Sequence, residues 1–204
     1  MKRVAVLASG RGSNLSALIA AQAALSSYQV VLTLSNVEGS GALDLARTAA
    51  VESVTIPSRG RSREDHEQAV SAAIASRSID IICLAGYMRV LGPAFIDAVS
   101  CPILNIHPSL LPAFPGMHAQ RQALEAGVRW SGATVHFVDH GLDSGPIVLQ
   151  EPVRVEPDDT EATLSFRILE AEHRLYPRAL DVVARGAYEV RGRTVQLKDD
   201  APKG

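Results

Sequence analysis

Residues 3–25, RVAVLASGRGSNLSALIAAQAAL, decide the fold. An apolar run at 3–8 passes directly into SGRGSN at 9–14, a turn with two glycines, and then into an Ala- and Leu-rich stretch with helical spacing from near Leu15. A strand that is apolar at nearly every position is buried on both faces, as in a parallel sheet covered by helices. The same pattern continues outward. Strand-like runs fall at 29–35 (QVVLTLS), 53–56 (SVTI), 80–85 (DIICLA), 101–106 (CPILNI), 132–138 (GATVHFV) and 147–155 (IVLQEPVRV). The helical stretches GALDLARTAA and REDHEQAVSAAIAS separate the early ones. This alternation predicts an α/β fold, a single Rossmann-like domain over residues 1–204 with a mostly parallel sheet flanked by helices. A long helix is expected from about 160 to 184, interrupted at Tyr176-Pro177, because proline lacks an N–H and crowds the preceding turn. AYEVRGRTVQL reads as a C-terminal hairpin turning at Arg191-Gly192. The closing KDDAPKG, 198–204, reads as a loose tail.

Composition narrows the function. The chain is 47% hydrophobic and 21% charged, ordinary for a globular protein, but only 4% aromatic, so Ala, Val, Leu and Ile must build the core. A net charge of -2 offers no basic field, so no nucleic acid is expected as a partner, and an anionic ligand must be held locally. The apolar run in MKRVAVLASG ends at Ser9, too early for a signal sequence, and no run approaches membrane-spanning length. The cytoplasm is the expected location, with no membrane partner. Cys83 and Cys101 lie in apolar runs and read as small buried hydrophobes, with neither a disulfide framework nor a zinc spacing. His118, His140 and His173 form no metal pattern with carboxylates or cysteines, so no metal is expected.

Three stretches carry chemistry. In ILNIHPSLLP, 103–112, Asn105 and His107 are two apart on an extended segment and so point to one side. His107 precedes Pro108, which pushes it out of helical geometry, at the strand end where open α/β sheets place ligands; a capped strand end is the alternative. In VDHGLDSGP, 138–146, Asp143 sits in a glycine- and proline-marked loop after a strand, where it either approaches His107 and favours an imidazolium or stands as a solvated turn residue. His136, alternating with Val135 and Phe137, reads as a satisfied sheet residue. The SGRGSN turn offers backbone amides and a helix N-terminus to an anion, with Ser13 or Asn14 as the helix cap. It lacks the third glycine of a dinucleotide fingerprint and the Gly-Lys-Ser/Thr of a nucleoside-triphosphate loop, so a single phosphate fits best, with a plain tight turn as the alternative. Arg63, ahead of the third helix, is a second anion candidate or an exposed helix-start residue. No Gly-x-Ser-x-Gly elbow occurs. Asn, His and Asp around a pocket suit polarising a carbonyl and moving a proton.

Taken in order, ASGRGSNL, LAGYMRVL, NIHPSLLPAFPGMH, GATVHFV and LDSGPIVLQ give a chain that resembles the phosphoribosylglycinamide formyltransferases, folate-dependent enzymes of purine synthesis, from residue 2 to about 190. The NIHPSLLP piece is shared by the wider formyltransferase superfamily; the SGxGSN turn points to the ribonucleotide branch. The resemblance implies formyl transfer from 10-formyltetrahydrofolate to the amine of glycinamide ribonucleotide. It implies Asn105, His107 and Asp143 as the catalytic trio. Arg11, Gly12, Ser13 and Asn14 would hold the substrate phosphate and Glu172 its ribose. Arg63, Met88, Arg89, Val90 and Leu91 would line the folate site together with Asn105. Asp139, His140, Gly141, Leu142 and Asp143 would read the pterin through their backbone. The resemblance also implies a cis bond at Leu111-Pro112 and small-molecule substrates, and it allows a homodimer. Rival readings are a transfer-RNA formyltransferase or a formyltetrahydrofolate hydrolase, each expected to need a further domain, and a noncatalytic binding module, against which the intact trio argues.

Overall fold

The computed structural model describes residues 1–198. Of the tail expected at 198–204, Lys198 is held, its amide donating to the Ala187 carbonyl at 3.0 Å, and the remainder lies outside the described residues. The chain forms two compact units, residues 1–104 and 105–204.

The first unit alternates strand and helix. It comprises β1 (Lys2–Ala8), α1 (Ser13–Leu25), β2 (Tyr28–Ser35), α2 (Gly41–Thr48), β3 (Glu52–Thr55), α3 (Arg63–Ala75), β4 (Ile81–Leu84) and α4 (Pro93–Ala98). Its strands lie in the order β3-β2-β1-β4, all parallel. Val4 to Ala8 are fully buried, which explains the unbroken apolar run in the sequence. Tyr28, also fully buried, satisfies its hydroxyl by donating to the Leu18 carbonyl at 2.9 Å. Ser62 caps α3 by accepting from the Asp65 amide, with Glu64 and Asp65 in the first turn facing the positive end of the helix. The order reverses at β1, whose neighbours are β2 on one side and β4 on the other. Sheets of this type bind ligands beyond the carboxyl ends of strands at such a reversal, and SGRGSN stands there.

That turn differs from expectation in one respect. The helix begins at Ser13, its cap is Gly12 at φ 84°, and neither Ser13 nor Asn14 is the capping residue. The reason is packing against α2. A Cβ at position 12 would lie 2.7 Å from the Ala42 Cα, while the Ala42 amide donates to the Gly10 carbonyl at 3.1 Å. Only glycine allows both the left-handed backbone and this approach.

The second unit begins within β5 (Ile103–His107), whose first two residues belong to the first unit. It continues through α5 (Ala119–Glu125), β6 (Trp130–Phe137), β7 (Ile147–Arg154), α6 (Glu161–Arg185), β8 (Tyr188–Arg191) and β9 (Thr194–Leu197). β6 and β7 pair antiparallel, β9 runs parallel beside β7, and β8 and β9 form the expected hairpin, with Gly192 at φ 61° in its turn. The α/β class, the parallel sheet and the C-terminal hairpin are therefore borne out. α4 and α5, six and seven residues long, are too short to register as helical periodicity.

α6 corrects a second expectation: its 25 residues run through Pro177 without interruption. Leu175, Tyr176, Pro177, Ala179 and Leu180 are all buried on a helix that packs against β6 and β7. That burial outweighs the one backbone bond proline cannot make. A Thr160–Thr163 capping box opens the helix and Gly186 at φ 66° closes it. Among the described residues no helix is long and apolar enough to cross a membrane.

Gly12→Ala is expected to destabilise the protein by about 2 kcal/mol or more, from left-handed strain and the collision with α2. Gly10→Ala, with open space around its Cβ, should leave stability nearly unchanged. Paired urea denaturation curves check the contrast; equal midpoints would show that α2 yields freely.

Candidate active site

β5 sets the site. Asn105 and His107 leave it on one side, and Asp143 joins them from the loop between β6 and β7. His107 is buried, with Nδ1 at 3.3 Å from Asp143 Oδ2 and Nε2 at 2.8 Å from the Phe114 carbonyl oxygen. A carbonyl only accepts, so Nε2 carries a proton. Nδ1 faces the Asp143 carboxylate across 3.3 Å, an ion-pair contact whenever that nitrogen carries a proton.

Asp143 is only 11% exposed in its side chain, so its charge needs partners. Oδ2 also accepts from the Gly116 amide at 2.8 Å, and Oδ1 lies 3.5 Å from Asn105 Nδ2. The backbone of Asp143 is left-handed at φ 48°, a conformation aspartate tolerates better than most residues. Its loop is held locally, because Asp139 Oδ1 accepts from the Gly141 amide at 3.0 Å and the Ser144 hydroxyl at 2.7 Å. A cavity of about 240 Å³ opens beside Asp143, lined by Leu111, Pro112, Gly145, Ile147 and Arg193.

His136 has a larger part than its strand pattern indicated. Its Nδ1 lies 2.8 Å from the Phe137 carbonyl, to which it must donate, leaving Nε2 to accept from Asn105 Nδ2 at 3.2 Å. This fixes the Asn105 amide with its nitrogen inward, toward His136 and Asp143. Burial pushes the His136 imidazole below its ordinary value, opposed in part by the Phe137 carbonyl and the Asp143 charge. The neutral ring is the form that can accept from Asn105.

Thr134 and Gln150, also unmarked in the sequence, anchor the 108–112 turn. The Thr134 hydroxyl donates to the Ser109 carbonyl at 2.6 Å and accepts from the Leu111 amide at 3.1 Å, while Gln150 Nε2 donates to the Leu111 carbonyl at 2.9 Å. The Leu111-Pro112 bond is cis, as the resemblance implied.

A family model described as formyl transferase matches residues 2–180 of the chain. The chain belongs to the formyl transferase family. It is 46% identical over 99% of its length to a trifunctional purine biosynthetic protein adenosine-3 of Drosophila pseudoobscura pseudoobscura, of which it spans only 15%. It is 41% identical over 96% of its length to a phosphoribosylglycinamide formyltransferase of Mycobacterium tuberculosis, covering 91% of that protein. The solved structure of glycinamide ribonucleotide transformylase 1 from Symbiobacterium toebii aligns with a TM-score of 0.94 at 42% identity, over 98% of this chain and 95% of that one.

In this formyl transferase the second unit brings together Asn105, His107, Asp143 and the 139–142 segment, and it carries Glu172 buried on α6. The first unit carries the other sequence-predicted positions. Arg11 to Asn14 form the turn and the start of α1, and exposed Arg63 opens α3. Met88 to Leu91 lie on a segment pinned at both ends: the Met88 amide donates to the Ser9 hydroxyl at 2.7 Å and the Gly92 amide to Glu67 Oε1 at 2.7 Å. Met88 and Val90 stand exposed between these pins, and Leu91 is buried. Cys83 is buried and Cys101 half-buried, with burial raising the Cys101 thiol, a poor setting for a nucleophile.

His136 also predicts a pH dependence. Its folded value is depressed below an unfolded value of about 6.5, so at lower pH the unfolded chain binds a proton that the folded chain does not. Stability is therefore complete above about pH 6.5 and falls as pH drops below it. His66 and His173, lowered chiefly by burial, act in the same direction. Urea midpoints should decline between about pH 7 and pH 5.5, and His136→Gln should flatten the decline. An unaltered slope in that variant would remove His136 from the account.

Proposed function

We propose that the chain transfers the formyl group of 10-formyltetrahydrofolate to the amine of glycinamide ribonucleotide, releasing tetrahydrofolate, in purine synthesis. One observation carries the reading: Asn105, His107 and Asp143 converge at the end of β5 in a chain whose likeness to a phosphoribosylglycinamide formyltransferase runs nearly end to end. The reading treats residues 1–204 as one formyltransferase domain acting on small molecules in the cytoplasm. Whether it acts as a monomer or a homodimer is decided by light scattering.

The substrate amine attacks the formyl carbon, a C–N bond forms, and negative charge develops on the formyl oxygen. Collapse of the adduct breaks the bond to the folate nitrogen, which leaves with a proton. Asn105 is the readier donor to the oxyanion, because it gives up only the 3.5 Å contact with Asp143 while keeping its bond to His136. His107 donates through Nε2 only by sharing the proton that Nε2 now donates to the Phe114 carbonyl at 2.8 Å. A positive ring beside the developing charge stabilises it in either case. Asp143 orients that ring. A doubly protonated ring has no lone pair for the amine proton, so a water held by Asp143 carries that proton to the leaving nitrogen, or His107 first donates to the leaving nitrogen and then takes the amine proton. We assign Arg11, Gly12, Ser13 and Asn14 to the substrate phosphate and Glu172 to its ribose. Arg63, Met88, Arg89, Val90, Leu91 and the 139–143 backbone are assigned to the folate.

Incubation with the formyl donor, with and without glycinamide ribonucleotide, tests the activity through folate absorbance. Tetrahydrofolate should form only with the acceptor present; release without it would mean hydrolysis instead. Asn105→Ala and His107→Ala should each lower single-turnover rates by about 100-fold or more with little change in substrate binding, since their contacts matter most when the oxyanion forms. Asp143→Asn, which keeps the shape but removes the charge, should also slow turnover at neutral pH. Near-normal rates in any of the three would reduce that residue to scaffold.

A further inference from the structure

We infer that the C-terminal hairpin is a clamp on the loop that carries Asp143, and that Arg193 is its positioning residue. This rests on the catalytic role proposed for Asp143. Three ties join hairpin and loop. At the start of the loop, the Tyr188 ring packs on Phe137 with centroids 5.3 Å apart. At its end, Thr194 stands in register with Ile147, the single parallel pairing between β9 and β7. Between these, Arg193 Nη2 donates to the Ser144 carbonyl at 2.9 Å, one residue from Asp143. Arg193 also lines the cavity of about 240 Å³ beside Asp143.

The loop needs such a hold. Its neck is closed by the Phe137 amide bonding to the Pro146 carbonyl at 2.9 Å, and its interior by the Asp139 carboxylate. Asp143 nonetheless sits at a positive φ, a costly conformation that persists only where the surroundings over-determine it. The Ser144 hydroxyl is committed to Asp139, and Arg193 fixes the same residue through its backbone carbonyl. The hairpin, residues 188–197, lies beyond the region matched by the formyl transferase family model, which ends at 180. The Arg193–Ser144 contact thus joins a segment outside the matched region to a loop inside it.

The test compares Arg193→Ala and Arg193→Lys in the full chain, with Arg191→Ala as a control in the same hairpin, where Arg191 pairs only with Glu189 among the contacts described. Hydrogen–deuterium exchange is the first readout and needs no substrate. Arg193→Ala should speed exchange at 139–145 about tenfold while the β6 and α6 amides keep their wild-type rates. Arg193→Lys, which retains a donor, should restore most of the protection. Steady-state kinetics is the second readout: in Arg193→Ala turnover should fall about tenfold and the KM for the formyl donor rise, with the acceptor's KM held within about twofold. Wild-type exchange in the loop, or equal acceleration across the whole unit, overturns the clamp. A wild-type chain without transferase activity overturns the functional reading instead, and the exchange data still decide the clamp.

Discussion

A carboxylate with little access to water must be met by hydrogen bonds or positive charge, and Asp143 imposes that demand on everything around it. The Gly116 amide and the His107 ring answer on one oxygen, and the Asn105 amide faces the other. Each answering group is constrained in turn. His107 needs a carbonyl for its second nitrogen, which Phe114 supplies, and Asn105 needs an acceptor for its stronger bond, which neutral His136 supplies. The result is a chain of donors and acceptors running from Phe114 to Phe137, in which each ring nitrogen has an assigned direction. Removing one member leaves the next unsatisfied, so the parts act as a unit.

Rigid elements hold the members of this chain, and hydrogen-bonded turns join them. Asn105, His107 and His136 are strand residues, whereas Phe114, Gly116 and Asp143 are loop residues. The loops are restrained by side chains rooted in strands: Thr134 and Gln150 bind the 108–112 turn from β6 and β7. This division suits a site where charge moves. Preorganised dipoles stabilise a developing oxyanion most when they need not reorganise. In the proposed reaction, the slack contact between Asn105 and Asp143 at 3.5 Å is one that a substrate oxygen would replace without breaking a stronger bond.

The first unit solves a different problem, presenting surface rather than hiding charge. Gly12 brings the start of α1 against α2 and turns the SGRGSN backbone at the strand reversal. The segment with Met88 and Val90 is fastened by Ser9 and Glu67 and stiffened by Tyr87, whose hydroxyl lies 2.6 Å from His66 Nε2. Burial pushes the Tyr87 phenol up to about 12 and keeps His66 below its ordinary value, so the bond joins a neutral phenol to a neutral imidazole. On such a fastened backbone, covering the exposed side chains costs side-chain entropy but little backbone entropy.

Much of this was legible in the sequence, for reasons of range. Burial on both faces writes an apolar run such as Val4–Ala8, so the strand–turn–helix unit and the α/β class follow from neighbouring residues alone. The period of a strand puts Asn105 and His107 on one side, and Pro108 forces the strand to end there. Turn chemistry marks the Asp143 loop and the Arg191-Gly192 hairpin. Features set by residues distant in the chain were not legible. Ser13 and Asn14 satisfy the local rules for a helix cap, but the approach of Ala42 makes Gly12 the cap. Pro177 should interrupt a helix, but the burial of its neighbours carries α6 through. His136 looks like any strand histidine until Asn105 is found at its Nε2, and Arg193 like any hairpin arginine until Ser144 is found beside it. Spacing records which residues share a face, but hydrogen bonds between residues 31 and 49 positions apart exist only once the strands are paired, and those bonds decided how the site is held.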